Sequence, residues 1–212
     1  MTKPFLFAPL ERRAFDLIAV DPPWSFKTWS LAGQGKSASK HYPTMSLERI
    51  QRLPVRELLK DDGHLLLWAT APMWQQAEET LKAWGATFKT EVVWRKITSN
   101  GKVRIGCGFR ARTAHEPILV ATYGHPRVFC FPCSVIDGIA RQHSRKPREF
   151  YDLVTALTPG FRRAEIFARE RRLGWAAWGN ELDKFAADRP TADETAAALA
   201  GDGCIEEIEK HG

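Results

Sequence analysis

Apolar residues fall in short, near-continuous runs along this chain, at 15–20, 64–69, 90–94, 117–122, 164–168 and 175–178. Runs of this length suit strands covered on both faces better than helices. Between the second and third runs the spacing changes. Met73, Ala77, Leu81 and Trp84 recur at helical intervals, and Gly85 follows as a stop signal. A second helix is expected over 147–157, with Phe150, Val154 and Leu157 on one face and Thr158-Pro159-Gly160 ending it. Strand and helix alternate, so the expected class is α/β, a mostly parallel sheet with helices on both faces.

The first run stops at Asp21-Pro22-Pro23-Trp24. Proline lacks a backbone donor and fixes φ, so a strand ends there. Strand ends are where open α/β sheets bind ligands. The tetrapeptide offers a carboxylate, stiff carbonyls without neighbouring donors, and a broad aromatic face, a cradle for a planar, amine-bearing base. The exocyclic amine of adenine is a weak nucleophile because its lone pair is delocalised into the ring. Acceptors on both of its N–H bonds favour the pyramidal geometry that frees the lone pair. Asp21 is the candidate for one acceptor and the Pro22 carbonyl for the other. Trp24 would stack on the base, a contact worth about 1–3 kcal/mol. A donor such as S-adenosylmethionine carries an already activated methyl group, so the protein mainly positions the reactants and needs no separate strong base. On spacing alone an ordinary Asp-Pro turn fits these residues as well.

Further blocks follow in order: His41-Tyr42-Pro43-Thr44-Met45-Ser46, residues 61–68 ending in Leu65-Leu66-Leu67-Trp68, Ala114-His115-Glu116-Pro117, His143-Ser144-Arg145-Lys146-Pro147, Glu165-Ile166-Phe167-Ala168-Arg169 and Trp178-Gly179-Asn180-Glu181. Together with Asp21-Pro22-Pro23-Trp24 they resemble the adenine-N6 methyltransferase family typified by the catalytic subunit of the eukaryotic mRNA methyltransferase. The resemblance runs from about Phe15 to Leu182 and looks more like compact bacterial or phage members. It implies a Rossmann-like, S-adenosylmethionine-dependent fold in permuted order, with the catalytic signature preceding the main cofactor-binding strand.

The resemblance carries roles onto particular residues. Asp21, Pro22, Pro23 and Trp24 would form the catalytic turn, with Asp21 also touching the cofactor. Lys146 would reach the carboxylate end of S-adenosylmethionine. Glu165 would receive its ribose hydroxyls with Arg169 beside it, and Asn180 and Glu181 would flank the adenosine. One departure stands out. Arg169 is followed by Glu170-Arg171-Arg172, where the mRNA enzyme carries a short insertion with further cofactor contacts, so the ribose side is left open here. Taken singly, Lys146 before Pro147 also reads as a helix start, and Glu165 with Arg169 as an exposed pair of little energetic weight.

Charge adds a partner. The 212 residues carry a net +6, but residues 186–212 hold seven acids against two bases. That tail is therefore −5 and the remaining body +11. A basic body is the electrostatic footprint of a nucleic-acid binder, although charge runs are also ordinary solvated faces. Lys36, Lys96, Arg110 and His115 are the candidate substrate contacts outside the catalytic turn, and His115 suits a capping role equally. The stretch 29–41 is long for a connection and is expected to close over a flipped base. Its Gly35-Lys36-Ser37 lacks the upstream glycine of a phosphate loop, the position being Ser30.

Four cysteines in a chain of this length imply no disulfide framework. Cys130 and Cys133 have metal-pair spacing without a second pair to close a zinc site, so no metal is expected. No apolar run approaches the ~20 residues of a membrane span, and the proline-broken N-terminus makes a poor signal peptide, so a cytoplasmic location is expected. The domain layout expected is a methyltransferase domain over 1–185 and an acidic tail over 186–212. Three functions compete: a methyltransferase on adenine N6, most often in DNA and alternatively in RNA; a non-catalytic nucleic-acid-binding subunit of the same fold; and a protein-amide methyltransferase, whose related signature begins with Asn. The intact Asp21 signature favours the first.

Overall fold

The structure, a computed structural model, describes residues 4–25, 44–108, 110–142 and 144–186. Lys36, the 29–41 stretch, His143 and the acidic tail lie outside the described residues. In chain order the elements are β1 (Phe15–Val20), α1 (Leu47–Gln51), β2 (Leu59–Trp68), α2 (Trp74–Ala83), β3 (Thr87–Ile97), β4 (His115–Tyr123), β5 (Val135–Ile139), α3 (Arg148–Leu157), β6 (Arg163–Ile166) and β7 (Trp175–Trp178). One seven-stranded sheet contains every strand, in the order β5-β3-β4-β2-β1-β6-β7. β1 pairs in parallel with β2 and β6, β6 with β7, and β3 with β5. Only β4 runs against its neighbours, β2 and β3. This is the Rossmann-like architecture expected, and the permutation is visible in it. β1 comes first in the chain yet lies directly beside β6, some 145 residues later.

Local chemistry explains the element ends. Ser46 caps α1, its hydroxyl accepting from the Arg49 N–H. α2 stops at Trp84, and Gly85 follows at φ 75°, a left-handed conformation that glycine adopts without strain. α3 begins directly after Pro147, where a missing N–H costs nothing. The expected strands are all present, although β2 and β3 extend beyond their apolar runs. β2 begins at Leu59 and carries Lys60, Asp61 and Asp62 on an irregular, exposed first half. β5 has no counterpart in the apolar pattern, because Asp137 and Gly138 interrupt it.

Strand alternation sorts the interior into two cores. Ile18, Val20, Leu65, Leu67, Leu119 and Ala121 face α1 and α2. Leu17, Ala19, Leu66, Trp68, Ile118 and Val120 face Phe150, Tyr151 and Val154 of α3. Trp68 is fully buried in the second core, edge-on to both Trp94 and Phe150. No helix among the described residues is long and apolar enough to cross a membrane.

β5 sits close to the start of α3, and glycine makes that approach possible. A Cβ on Gly138 would lie 2.5 Å from the Pro147 Cβ and 2.8 Å from the Trp94 indole nitrogen. That nitrogen donates to the Gly138 carbonyl at 2.9 Å. Gly138→Ala is therefore expected to lose about 1–3 kcal/mol of stability through overpacking. Equilibrium urea unfolding measures it, and an unchanged midpoint would refute the tight approach.

Candidate active site

The carboxyl ends of the parallel strands and the start of β4 meet on the α3 side of the sheet. Asp21 follows β1, where its backbone N–H still pairs with the Ile166 carbonyl of β6. Lys146, in the turn entering α3, places its ammonium 2.9 Å from the Asp21 carboxylate and 3.0 Å from Glu116. Glu116 accepts a second ammonium, from Lys96, at 2.6 Å. The row reads Asp21, Lys146, Glu116, Lys96, with alternating sign. Side-chain exposure is 17% for Asp21, 7% for Lys146 and 14% for Glu116, so these charges are largely removed from water. Burial pushes the Asp21 carboxyl above its usual range, and Lys146 only partly offsets this. Burial acts on Glu116 in the same sense, but Lys146 and Lys96 together hold its carboxyl below the usual range.

Next to this row, Glu165 occupies β6 in register with Ala19 of β1. Its carboxylate accepts the Tyr151 hydroxyl at 2.6 Å and pairs with Arg172. Arg172 also reaches Glu170 at 2.6 Å, and Glu170 is held by Arg145 at 2.7 Å. Burial raises the Glu165 carboxyl despite Arg172 and Tyr151, with Asp21 and Glu170 adding repulsion. Two turns bounding the site adopt backbone that side chains rarely take, Ser144 at φ 61° and Phe167 at φ 64°. Such outliers persist where the surroundings over-determine them and concentrate at functional sites.

The Asp21-Pro22-Pro23-Trp24 turn differs from expectation in two respects. Trp24 is 4% exposed, belongs to the α1–α2 core, and donates its indole N–H to the Trp68 carbonyl at 2.9 Å. Its face is packed rather than open for stacking; it anchors the turn. The proline carbonyls also have donors. Pro22 accepts the Trp24 N–H at 2.8 Å and Pro23 the Met45 N–H at 2.9 Å. A carbonyl has two lone pairs, so the Pro22 oxygen keeps one for a ligand.

The remaining expected residues divide. Arg169 pairs with Glu181 at 2.7 Å, and Glu181 also accepts Lys184. Burial raises the Glu181 carboxyl less than Lys184 and Arg169 lower it. Asn180 is exposed in the same loop and helps line a shallow depression of about 480 Å³. Gly179 lets that loop lie on the Ala168 backbone, whose carbonyl would be 2.2 Å from a Cβ. Lys96 is committed to Glu116. His115 is exposed and alternates to the opposite face of β4, so Glu116, not His115, is the residue of that block in the site. Arg110 is exposed on the β3–β4 connection.

Sequence reasoning missed Glu116, Tyr151 and Arg172. Glu116 had a readable signal: it shares parity with Ile118 and Val120, which face the α3 core. Among the described residues no cluster of three metal-ligating side chains occurs, and Cys107, Cys130 and Cys133 are free and exposed.

The donor set suits a nucleoside-bearing ligand. Glu165 is a buried acceptor at a strand end in the crevice beside Asp21. Two buried polar atoms at the end of β2 and just beyond it, Trp68 Nε1 and Thr70 Oγ1, have no hydrogen-bond partner among the described residues. The profile of the MT-A70 family matches residues 15–181. The chain belongs to the MT-A70 family. Relatives of this MT-A70 chain are methyltransferases by name. The type II methyltransferase M.MunI of Mycoplasma sp. is 29% identical over 208 residues, covering 89% of this chain and 87% of that protein. The human N(6)-adenosine-methyltransferase catalytic subunit METTL3 is 31% identical over 180 residues, covering 80% of this chain but 28% of METTL3. The N6-methyladenosine RNA methyltransferase MTA1 of Cryphonectria parasitica is 29% identical, covering 82% of this chain and 54% of MTA1.

Lys146→Met would leave two buried carboxylates facing each other without their shared cation. Breaking a buried pair in this way costs about 3–5 kcal/mol. In the variant the proton affinity of Asp21, already raised in the wild type, rises further, and that of Glu116 rises above its unfolded value, so the loss is full at neutral pH. It shrinks as pH falls through the raised folded values and the carboxyls protonate. Urea unfolding at pH 7.5 and pH 5 should show the larger deficit at pH 7.5; equal deficits would contradict the shared role of Lys146.

Proposed function

We propose that this chain transfers a methyl group from S-adenosylmethionine to the exocyclic N6 of adenine in nucleic acid, with DNA as the polymer. The observation that carries the reading is Asp21, a largely shielded carboxylate just past the end of β1, paired with Lys146 and followed in the chain by the Pro22 carbonyl. Asp21 and the Pro22 carbonyl accept the two amine N–H bonds and orient the nitrogen lone pair. Burial favours the protonated Asp21 carboxyl, and Lys146, 2.9 Å away, opposes it and favours the acceptor form. As the new N–C bond forms, the nitrogen becomes cationic, and the Asp21 carboxylate stabilises that charge before one amine proton passes to solvent water. When bound, S-adenosylmethionine would supply an electrophilic methyl group, its S–CH3 bond breaking as the N–C bond forms and the bonding pair returning to the sulfonium sulfur to leave a neutral thioether. Glu165, Arg169, Asn180 and Glu181 are the residues proposed to hold it.

The β3–β4 connection supplies the polymer contact. No acid occurs between Glu91 and Glu116, and Lys102, Arg104, Arg110 and Arg112 are all exposed. Phosphate contact by these residues fits a substrate that is a polyanion. DNA is favoured over RNA because the match to M.MunI covers most of both proteins, whereas METTL3 and MTA1 extend far beyond it. If the substrate is duplex, the target base must leave the stack to reach Asp21.

Nucleoside mass spectrometry after incubation with S-adenosylmethionine and duplex DNA, single-stranded DNA or RNA tests this reading. N6-methyladenine is expected in DNA, reduced by roughly 10² or more in Asp21→Ala. Product confined to RNA would move the substrate assignment. Cofactor binding without product on any polymer would favour a non-catalytic subunit.

A further inference from the structure

Arg172 has no assigned role, yet it is among the most enclosed cations of the molecule, with 11% of its side chain exposed. Its guanidinium lies over the Tyr151 ring, 3.7 Å from the centroid. From there it spans two carboxylates, pairing with Glu165 Oε2 through one nitrogen and with Glu170 through the other. Tyr151 donates to the opposite oxygen, Glu165 Oε1, at 2.6 Å. Among the described residues each Glu165 oxygen thus has one donor. A carboxylate offers about four acceptor positions, so each oxygen retains one free. Two free acceptor positions on a rigid carboxylate match a vicinal pair of hydroxyls.

We propose that Arg172 is a positioning residue that holds the Glu165 carboxylate in place as a pure acceptor for the two ribose hydroxyls of the methyl donor. The proposal rests on the methyltransferase reading above. Its physical basis is the company Glu165 keeps. Four charged or titratable side chains face it: Tyr151 from α3, Arg172, Asp21 beyond β1, and Glu170. Two of these are anions, so Arg172 is the one cation opposing both burial and repulsion. Removing it leaves burial and the two anions less opposed and so favours the protonated carboxyl, in which one oxygen is a donor facing ligand hydroxyls that also donate. The Tyr151 hydroxyl fixes the carboxylate from one side but brings no charge. Arg172 therefore answers the question left by the Glu170-Arg171-Arg172 departure from the mRNA enzyme.

The test is the affinity of the full chain for S-adenosylhomocysteine, measured calorimetrically at pH 6.0 and pH 8.5, with thermal unfolding recorded alongside. Wild-type affinity is expected to change little between the two pH values. Arg172→Met should bind at least tenfold more weakly at pH 6.0 and recover most of that loss at pH 8.5, as Glu165 deprotonates. Glu165→Gln should bind weakly at both. Arg172→Lys keeps the charge but not the fork; it should bind more weakly than wild type, equally at both pH values, and serves if the methionine variant does not fold. A loss in Arg172→Met that is the same at both pH values, unaltered affinity, or a pH-dependent loss in Arg172→Lys as large as that expected for methionine would overturn the role of Arg172. A wild-type chain that binds no S-adenosylhomocysteine would overturn the methyl-donor reading together with it.

Discussion

The site depends on one cation placed between two buried carboxylates. Lys146 meets Asp21 at 2.9 Å and Glu116 at 3.0 Å, and all three side chains are largely shielded from solvent. Moving a carboxylate out of water costs several kcal/mol, and only a close counter-charge with good geometry offsets it. The fold satisfies this by alternation of sign along a row, ending at Lys96. The arrangement leaves Asp21 with its proton affinity raised but opposed, a carboxylate poised to accept hydrogen bonds from a neutral ligand amine.

Sheet topology makes that row possible. β4 runs against its neighbours, so its first residues, not its last, lie at the carboxyl edge of β1 and β2. Glu116 therefore comes to the same edge as Asp21, although nearly a hundred residues separate them. α3 begins there too, and its entry turn delivers Lys146. The tight seat of Gly138 against Pro147 and Trp94 holds that turn in place. The turns that break from regular backbone, at Ser144 and Phe167, lie two residues from Lys146 and from Glu165 respectively. Local strain thus sits where side chains must be aimed, and the two packed cores beneath the sheet bear it.

The two charged clusters divide the work proposed for the site. Asp21, Lys146 and Glu116 sit where an adenine amine would be held, while Glu165, Tyr151 and Arg172 sit where a ribose would. They are adjacent because β1 and β6 are neighbours, the consequence of the permuted order. A methyl donor held at β6 and an adenine amine held beyond β1 would then lie side by side without either strand moving. Both clusters are closed by internal ion pairs, so ligands held there would share these partners rather than fill empty charge.

Much of this was legible in the chain. Near-continuous apolar runs, helical spacing and the stops at Pro22, Gly85 and Pro159 are local signals, and local sterics enforce them wherever the segment lies. They determined the strand–helix alternation and placed Asp21 at a strand end. Motif order added Lys146 and Glu165. The tertiary structure alone decided which way Trp24 points, because its burial depends on the Trp68 carbonyl across β2. It also decided that Glu116 rather than His115 joins the site, since that follows from β4's register. β5 escaped notice because Asp137 and Gly138 make a weak strand, and its place comes from pairing with β3. The role of Arg172 was equally invisible, because a cation's partner is set by non-local packing: Tyr151 of α3 and Glu165 of β6 meet it only once the sheet has formed.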